Sequence, residues 1–185
     1  MGAHSKRWSD LKKRIEALFA ENVRGRVELR STSYRKMHDQ EKRAWITFDK
    51  REIINLCPCR HWIAYRTEGA RLRATEPDEL PDSPLYCLTQ SQQQRISQYL
   101  REQSLFTPYD FHALLFDYLS YSIEDVLRSD HPLVRALGML DRRMGKRRLL
   151  TYPVETEHPL VRRFHAFRCE AECIRPSRKV PPSET

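Results

Sequence analysis

Glycine is scarce in this chain of 185 residues: five in all, at positions 2, 25, 69, 138 and 145. Neither GxGxxG nor GxxxxGK(S/T) can be assembled from that set, which excludes a sequence-recognisable glycine-rich phosphate cradle. Long apolar runs are missing as well. Nothing approaches the roughly 20 residues of a membrane-spanning helix, so no membrane partner is expected. Met1–Ser9 carries no apolar signal core, and the expected location is the cytoplasm. Also absent are HExxH, GxSxG and an HxE ahead of a cysteine pair. Zincin, α/β-hydrolase and deaminase chemistry therefore lack their signatures. Apolar residues reach only 39%, but three Trp, eight Tyr and seven Phe argue against disorder.

The cysteines number five (57, 59, 87, 169 and 173). An odd count without an export signal points to reduced thiols rather than a disulfide framework. Charge is abundant and uneven. Lys and Arg total 33 against 25 Asp and Glu, a net +8. Residues 1–130 are almost balanced, with 21 cations and 19 anions, whereas residues 131–185 hold 12 and 6. A surface meeting phosphate or an acidic partner has this polarity. Arg outnumbers Lys 25 to 8, which suits bidentate anion contacts and is equally what a GC-rich genome would encode.

Apolar spacing at Trp8, Leu11, Ile15, Leu18 and Phe19 predicts an amphipathic helix over Ser9–Glu21. Gly25 breaks it, and strands follow at Arg26–Lys36, Ala44–Phe48 and Ile53–Cys57, the last two joined by a tight Asp49–Glu52 connection. His61–Tyr65 reads as a fourth strand or a short helix. Pro77, Pro81 and Pro84 among Glu76, Asp78, Glu79 and Asp82 predict an acidic surface loop. Beyond it the pattern is helical. Thr89 and Gln92 form a capping box, Thr107-Pro108 a cap with its proline, and Phe111, Leu114, Leu115, Tyr118 and Leu119 a core stripe. A short turn of helix is expected over Ser122–Ser129. The pentapeptide HPLVR occurs twice, at His131–Arg135 and His158–Arg162, each copy placing a proline in a first helical turn. The first of these helices is expected to end at Gly145, with Arg148–Tyr152 returning as a strand.

These elements make one α+β domain over 1–174, with an N-terminal helix, an antiparallel meander of three to five strands and C-terminal helices on one face. A frayed tail is expected at 175–185. The predicted core comprises Trp8, Leu11, Ile15, Trp45, Ile46, Phe48, Leu115, Leu137, Leu140, Phe164 and Phe167. Three strings, WSDLKKRIE (8–16), AWITFDKREI (44–53) and ALGMLDRRMGKRRL (136–149), resemble a family of small bacterial proteins with no assigned activity. The resemblance implies a bacterial cytoplasmic protein and carries over no catalytic residue.

Three chemistries find candidate residues. Arg135, Arg142, Arg143, Lys146, Arg147 and Arg148 fall within 14 residues, countered only by Asp141. Gathered on one face they would track phosphate, so a non-catalytic protein binding nucleic acid or another polyanion is the leading expectation. No helix-turn-helix, zinc-finger or RNP motif accompanies them, and charge runs are usually solvated faces. The second candidate is a zinc site. His165, Cys169 and Cys173 are spaced i, i+4, i+8 on a helix, roughly opposite Leu160, Phe164 and Phe167. Cys57, Cys59 and His61 share one face of an extended segment. Neither spacing is the common CxxC knuckle, and buried reduced cysteines explain the same residues. Third, His38-Asp39 in a turn beside Tyr34, Arg35, Lys36 and Glu41 offers acid–base groups for a phosphoester hydrolase, though turns commonly hold such residues. His112, on the flank of the aromatic helix, reads as structural. A protein-interaction module, with an acidic protein or a second copy as partner, is the remaining class.

Overall fold

A computed structural model of the chain describes residues 7–33, 42–75 and 88–174. His38, Asp39, the acidic Glu76–Asp82 stretch, Cys87 and the 175–185 tail lie outside the described residues. Helix α1 (Trp8–Leu18) leads through a 3-10 turn (Glu21–Val23) to β1 (Val27–Ser33), β2 (Lys42–Phe48) and β3 (Arg51–Leu56). The helices α2 (Pro58–Thr75), α3 (Gln90–Glu102), α4 (Pro108–Tyr118), α5 (Ile123–Arg128), α6 (Pro132–Leu140), α7 (Lys146–Thr151) and α8 (Pro159–Ala171) follow. The α+β class and the antiparallel meander are as expected. Among the described residues the sheet has three strands, ordered β1-β2-β3. Among them no helix is long and apolar enough to cross a membrane.

Alternation sets which sheet face is buried. Val27 and Leu29 on β1, Ala44, Ile46 and Phe48 on β2, and Ile54 and Leu56 on β3 all turn inward. Leu11 and Ile15 of α1, Phe111 and Leu115 of α4, Leu137 of α6 and Phe164 of α8 complete one large core. Helices α2 and α3 close a second, smaller cluster around Leu72, Leu88, Ile96 and Leu100. Those two helices therefore pack as a hairpin with its own interior.

Helix starts follow local chemistry. Thr89 with Gln92, Thr107 with Asp110 and Ser122 with Asp125 all form capping boxes. Both HPLVR prolines open helices, and in each copy the histidine is the N-cap.

Four expectations need correction. His61–Tyr65 is neither strand nor short helix but lies within the 18-residue α2. Pro58, which donates no backbone hydrogen bond, stands at the first helical position and ends the extended run there. Arg148–Tyr152 is not a strand either: Gly145 caps α7, and the straight-chain residues Lys146–Leu150 continue it as helix. Consequently α6 ends at Leu140, with Asp141 as its C-cap in extended conformation, and not at Gly145. Trp8, Trp45 and Phe167 are only partly buried. Trp8 instead lies over His112, with ring centroids 4.9 Å apart.

Candidate functional site

The six cations of the basic segment do not form one free field. Arg143 is locked against Asp141 at 2.7 Å, Lys146 against Glu172 at 2.8 Å, and Arg148 against Glu124 at 2.9 Å. Arg135 reaches Glu157 at 3.0 Å and is largely buried. Arg142 and Arg147 alone of the six are exposed without a carboxylate partner among the described residues. Apart from Asp141, the carboxylates lie far away in sequence, which is why the segment reads as more basic than its surface is.

The cysteine and histidine sets stay apart. Cys59 and His61 sit in the first turns of α2, so the extended face expected for Cys57, Cys59 and His61 does not exist. On α8, His165 and Cys169 are buried, not turned away from the core. His165 Nε2 bonds the Leu149 carbonyl oxygen at 2.9 Å, and the Cys169 sulfur is 3.8 Å from the ring. Burial pushes the Cys169 thiol up, the opposite of a thiolate ligand's requirement. Cys173 is exposed beyond the end of α8. Among the described residues, no three His, Cys, Asp or Glu side chains are placed to hold a metal ion.

Asp141 anchors the centre of the molecule. It is fully buried and accepts from the Tyr118 hydroxyl (2.8 Å), the Arg143 amide (2.8 Å) and both Nε and Nη2 of Arg143. Burial, with the Asp141 charge beside it, drives the Tyr118 hydroxyl well above its ordinary range. The backbone around Asp141 holds the end of α1: Ala20 N donates to Leu140 O and Arg142 N to Leu18 O, each at 2.8 Å. On the far side, Arg168 bonds Leu140 O and pairs with Glu172. Burial opposes the Glu172 charge, yet Lys146, Arg168 and Asn22 together hold its carboxyl below the usual range. With every member of this knot committed to another, its chemistry is structural.

A different place gathers polar groups that remain available. Between the α2–α3 hairpin and α4 lies a cleft of about 600 Å³. Its apolar lining is Leu100, Leu105, Phe106 and Leu114; its polar lining includes His61 and Tyr65 from α2, Arg101 from α3, Asp110 and Asp117 from α4, and His131 at the start of α6. Asp110 and Asp117 are seven residues apart on one helix face, roughly 10 Å by helical rise. Thr107 N and Oγ1 both donate to Asp110 Oδ2, at 3.2 and 2.7 Å, fixing that carboxylate at the rim.

His131 is the most perturbed of the lining groups. Its Nδ1 accepts from the Leu133 amide at 3.3 Å, and its ring lies 4.9 Å from that of Phe106. Burial first, then the Arg101 charge, lowers its pKa from 6.5 to about 4. The folded chain therefore resists a proton that the unfolded chain takes up, so stability falls as pH drops from about 6.5 to about 4. His131→Asn, which keeps an N-cap acceptor, is expected to remove about 1–2 kcal/mol of that fall, solvent screening of a partly buried ring allowed for. Burial also lowers His61 and His112, so a residual slope persists; urea titrations at pH 4.5 and 7 would show the difference. His112 is otherwise spoken for, 3.2 Å from Ser31 Oγ.

Sequence reasoning assigned His61 to a metal set and did not select Arg101, Asp110, Asp117 or His131 as cleft residues. Only the repeated HPLVR pointed toward His131, and it marked a helix start rather than a cleft.

The fold and this cleft define an α+β protein with a helical groove at the junction of its two hydrophobic clusters. The model of the SF0329 protein family matches residues 7–169, and the chain belongs to that family. All three strings behind the earlier resemblance fall inside the matched region. Comparison with curated proteins and with solved structures gives no match.

Proposed function

We propose that the chain is a non-catalytic binding protein that holds a small ligand in the cleft between the α2–α3 hairpin and α4. The observation carrying this reading is the lining itself: five apolar residues beside eight polar or charged ones, in a volume of about 600 Å³. Ligand pockets span roughly 300–1,000 Å³, and a lining this polar suits a ligand that is itself polar or charged. The polyanion alternative retains only Arg142 and Arg147 of its six cations as unpaired charges, and two such contacts would give weak affinity with a shallow salt dependence. Binding rather than catalysis fits the groups in the cleft. Acceptance at Nδ1 leaves the His131 proton on Nε2, a donor and not a base. The Thr107 hydroxyl, a possible nucleophile, is already given to Asp110.

Ala113 lines the cleft from the exposed side of α4, so Ala113→Trp should fill the groove without disturbing either core. A thermal-shift panel of small carboxylates, phosphates, amines and neutral sugars, each at about 100 times its dissociation constant, would stabilise by about 2.7 kcal/mol wherever one binds. The expected result is at least one stabilising compound for the wild-type chain and none for Ala113→Trp. Equal shifts in both proteins, or none in either, would overturn the cleft as the binding site.

A further inference from the structure

The two copies of HPLVR set up an internal comparison. Each histidine caps its helix through Nδ1, His131 to the Leu133 amide at 3.3 Å and His158 to the Leu160 amide at 3.1 Å. Each neutral ring therefore carries its proton on Nε2. In His158 that proton is used: Nε2 donates to the Glu102 carbonyl at 2.9 Å. For His131 there is no acceptor at Nε2 among the described residues, and the ring lines the cleft. Identical local sequence thus yields one committed donor and one left for something else.

Arg101, the neighbour of Glu102, lines the same cleft and is exposed, with no carboxylate partner among the described residues. We propose that Arg101 and the Nε2–H of His131 together form a subsite for an oxyanion, the carboxylate or phosphate group of the ligand that the cleft holds. This rests on the reading of the cleft as a ligand site and adds the chemical class of what enters it.

The other groups facing His131 are consistent with an anion there. They are Asp110 from α4, Arg135 from α6 and His158 at the start of α8. Arg135 is held by Glu157 and the Ser129 carbonyl, and His158 by Glu102. Asp110 is the one opposing charge, and the two donors of Thr107 already occupy its Oδ2. Asp117 lies two turns further along α4, where it would meet an uncharged or cationic part of the ligand. A guanidinium fork with a fixed neutral N–H supplies charge-assisted and directional donors to one anionic group.

The test uses the full chain labelled with nitrogen-15 at pH 7, titrated with inorganic phosphate and, separately, with acetate. The ring nitrogens of His131 are followed by long-range proton–nitrogen NMR. The free protein should show the neutral Nε2–H tautomer, and an anion should shift the Nε2 signal saturably. A response to phosphate alone identifies a phosphate subsite, one to acetate alone a carboxylate subsite, and one to both a general oxyanion subsite. Arg101→Gln, a change at an exposed position, should weaken that binding by at least about tenfold, whereas Arg147→Gln, outside the cleft, should leave it unchanged. No shift at His131 with either anion, or equal affinities in the two arginine variants, would overturn the subsite. If other compounds still stabilise the wild type and not Ala113→Trp, the cleft survives and only the subsite is lost.

Discussion

Arg143→Ala is expected to destabilise the protein by about 3–5 kcal/mol, the range for removing one partner from a buried ion pair. The reason lies in which charge is left behind. Asp141 is fully buried, and without the guanidinium it keeps only the Tyr118 hydroxyl and the backbone amide of residue 143 as donors. Asp141→Asn should cost less, about 1–3 kcal/mol. The abandoned Arg143 is partly exposed, reaches water and still donates to the Tyr121 carbonyl. The double variant Asp141→Asn/Arg143→Ala should cost less than the sum of the two, because no isolated buried carboxylate remains. Urea unfolding of the three variants checks every part of this. A larger loss for Asp141→Asn than for Arg143→Ala would reverse the assignment of where desolvation is concentrated.

The second large effect comes from two glycines that lie within helices. A Cβ built on Gly138 of α6 would stand 2.5 Å from Val126 Cγ1, and Val126 of α5 is fully buried. Gly138→Ala is therefore expected to cost about 1–3 kcal/mol by overpacking, although alanine is the better helix former by about 1 kcal/mol. A Cβ on Gly69 of α2 meets nothing nearer than Ile96 Cδ1 at 3.6 Å, ordinary contact. There the same substitution is expected to be neutral or to stabilise by up to about 1 kcal/mol. One mutation, two sites and opposite signs can be read from a pair of thermal melts. Adding Val126→Ala should restore part of the loss at Gly138, and failure to do so would mean the α5–α6 approach is not the cause.

Signals carried within four or five residues were legible in the chain itself. The Thr89–Gln92 box, the Thr107-Pro108 start, the β2–β3 hairpin and both HPLVR helix starts needed only neighbouring residues to be read. Short apolar runs were not decidable in this way. His61–Tyr65 has no period long enough to separate strand from helix, and Arg148–Tyr152 buries Leu149 alone while Leu150 beside it is exposed. The charge pattern misled for a different reason. Glu124, Glu157 and Glu172, which answer Arg148, Arg135 and Lys146, are each more than 20 positions away. Pairing at that distance leaves no mark on local composition. The cleft was least visible of all, because His131 and His158 sit in identical pentapeptides and only tertiary packing makes one of them available.

The clasp between Leu18–Ala20 and Leu140–Arg142 also orders events during synthesis. Helix α1 leaves the ribosome roughly 120 residues before the backbone groups that fasten it, a wait on the order of ten seconds at ordinary translation speeds. Throughout that interval Leu11, Ile15 and Phe19 have no finished interior to enter. The main core stays incomplete until α6 and α8, which bring Leu137 and Phe164, have also been made.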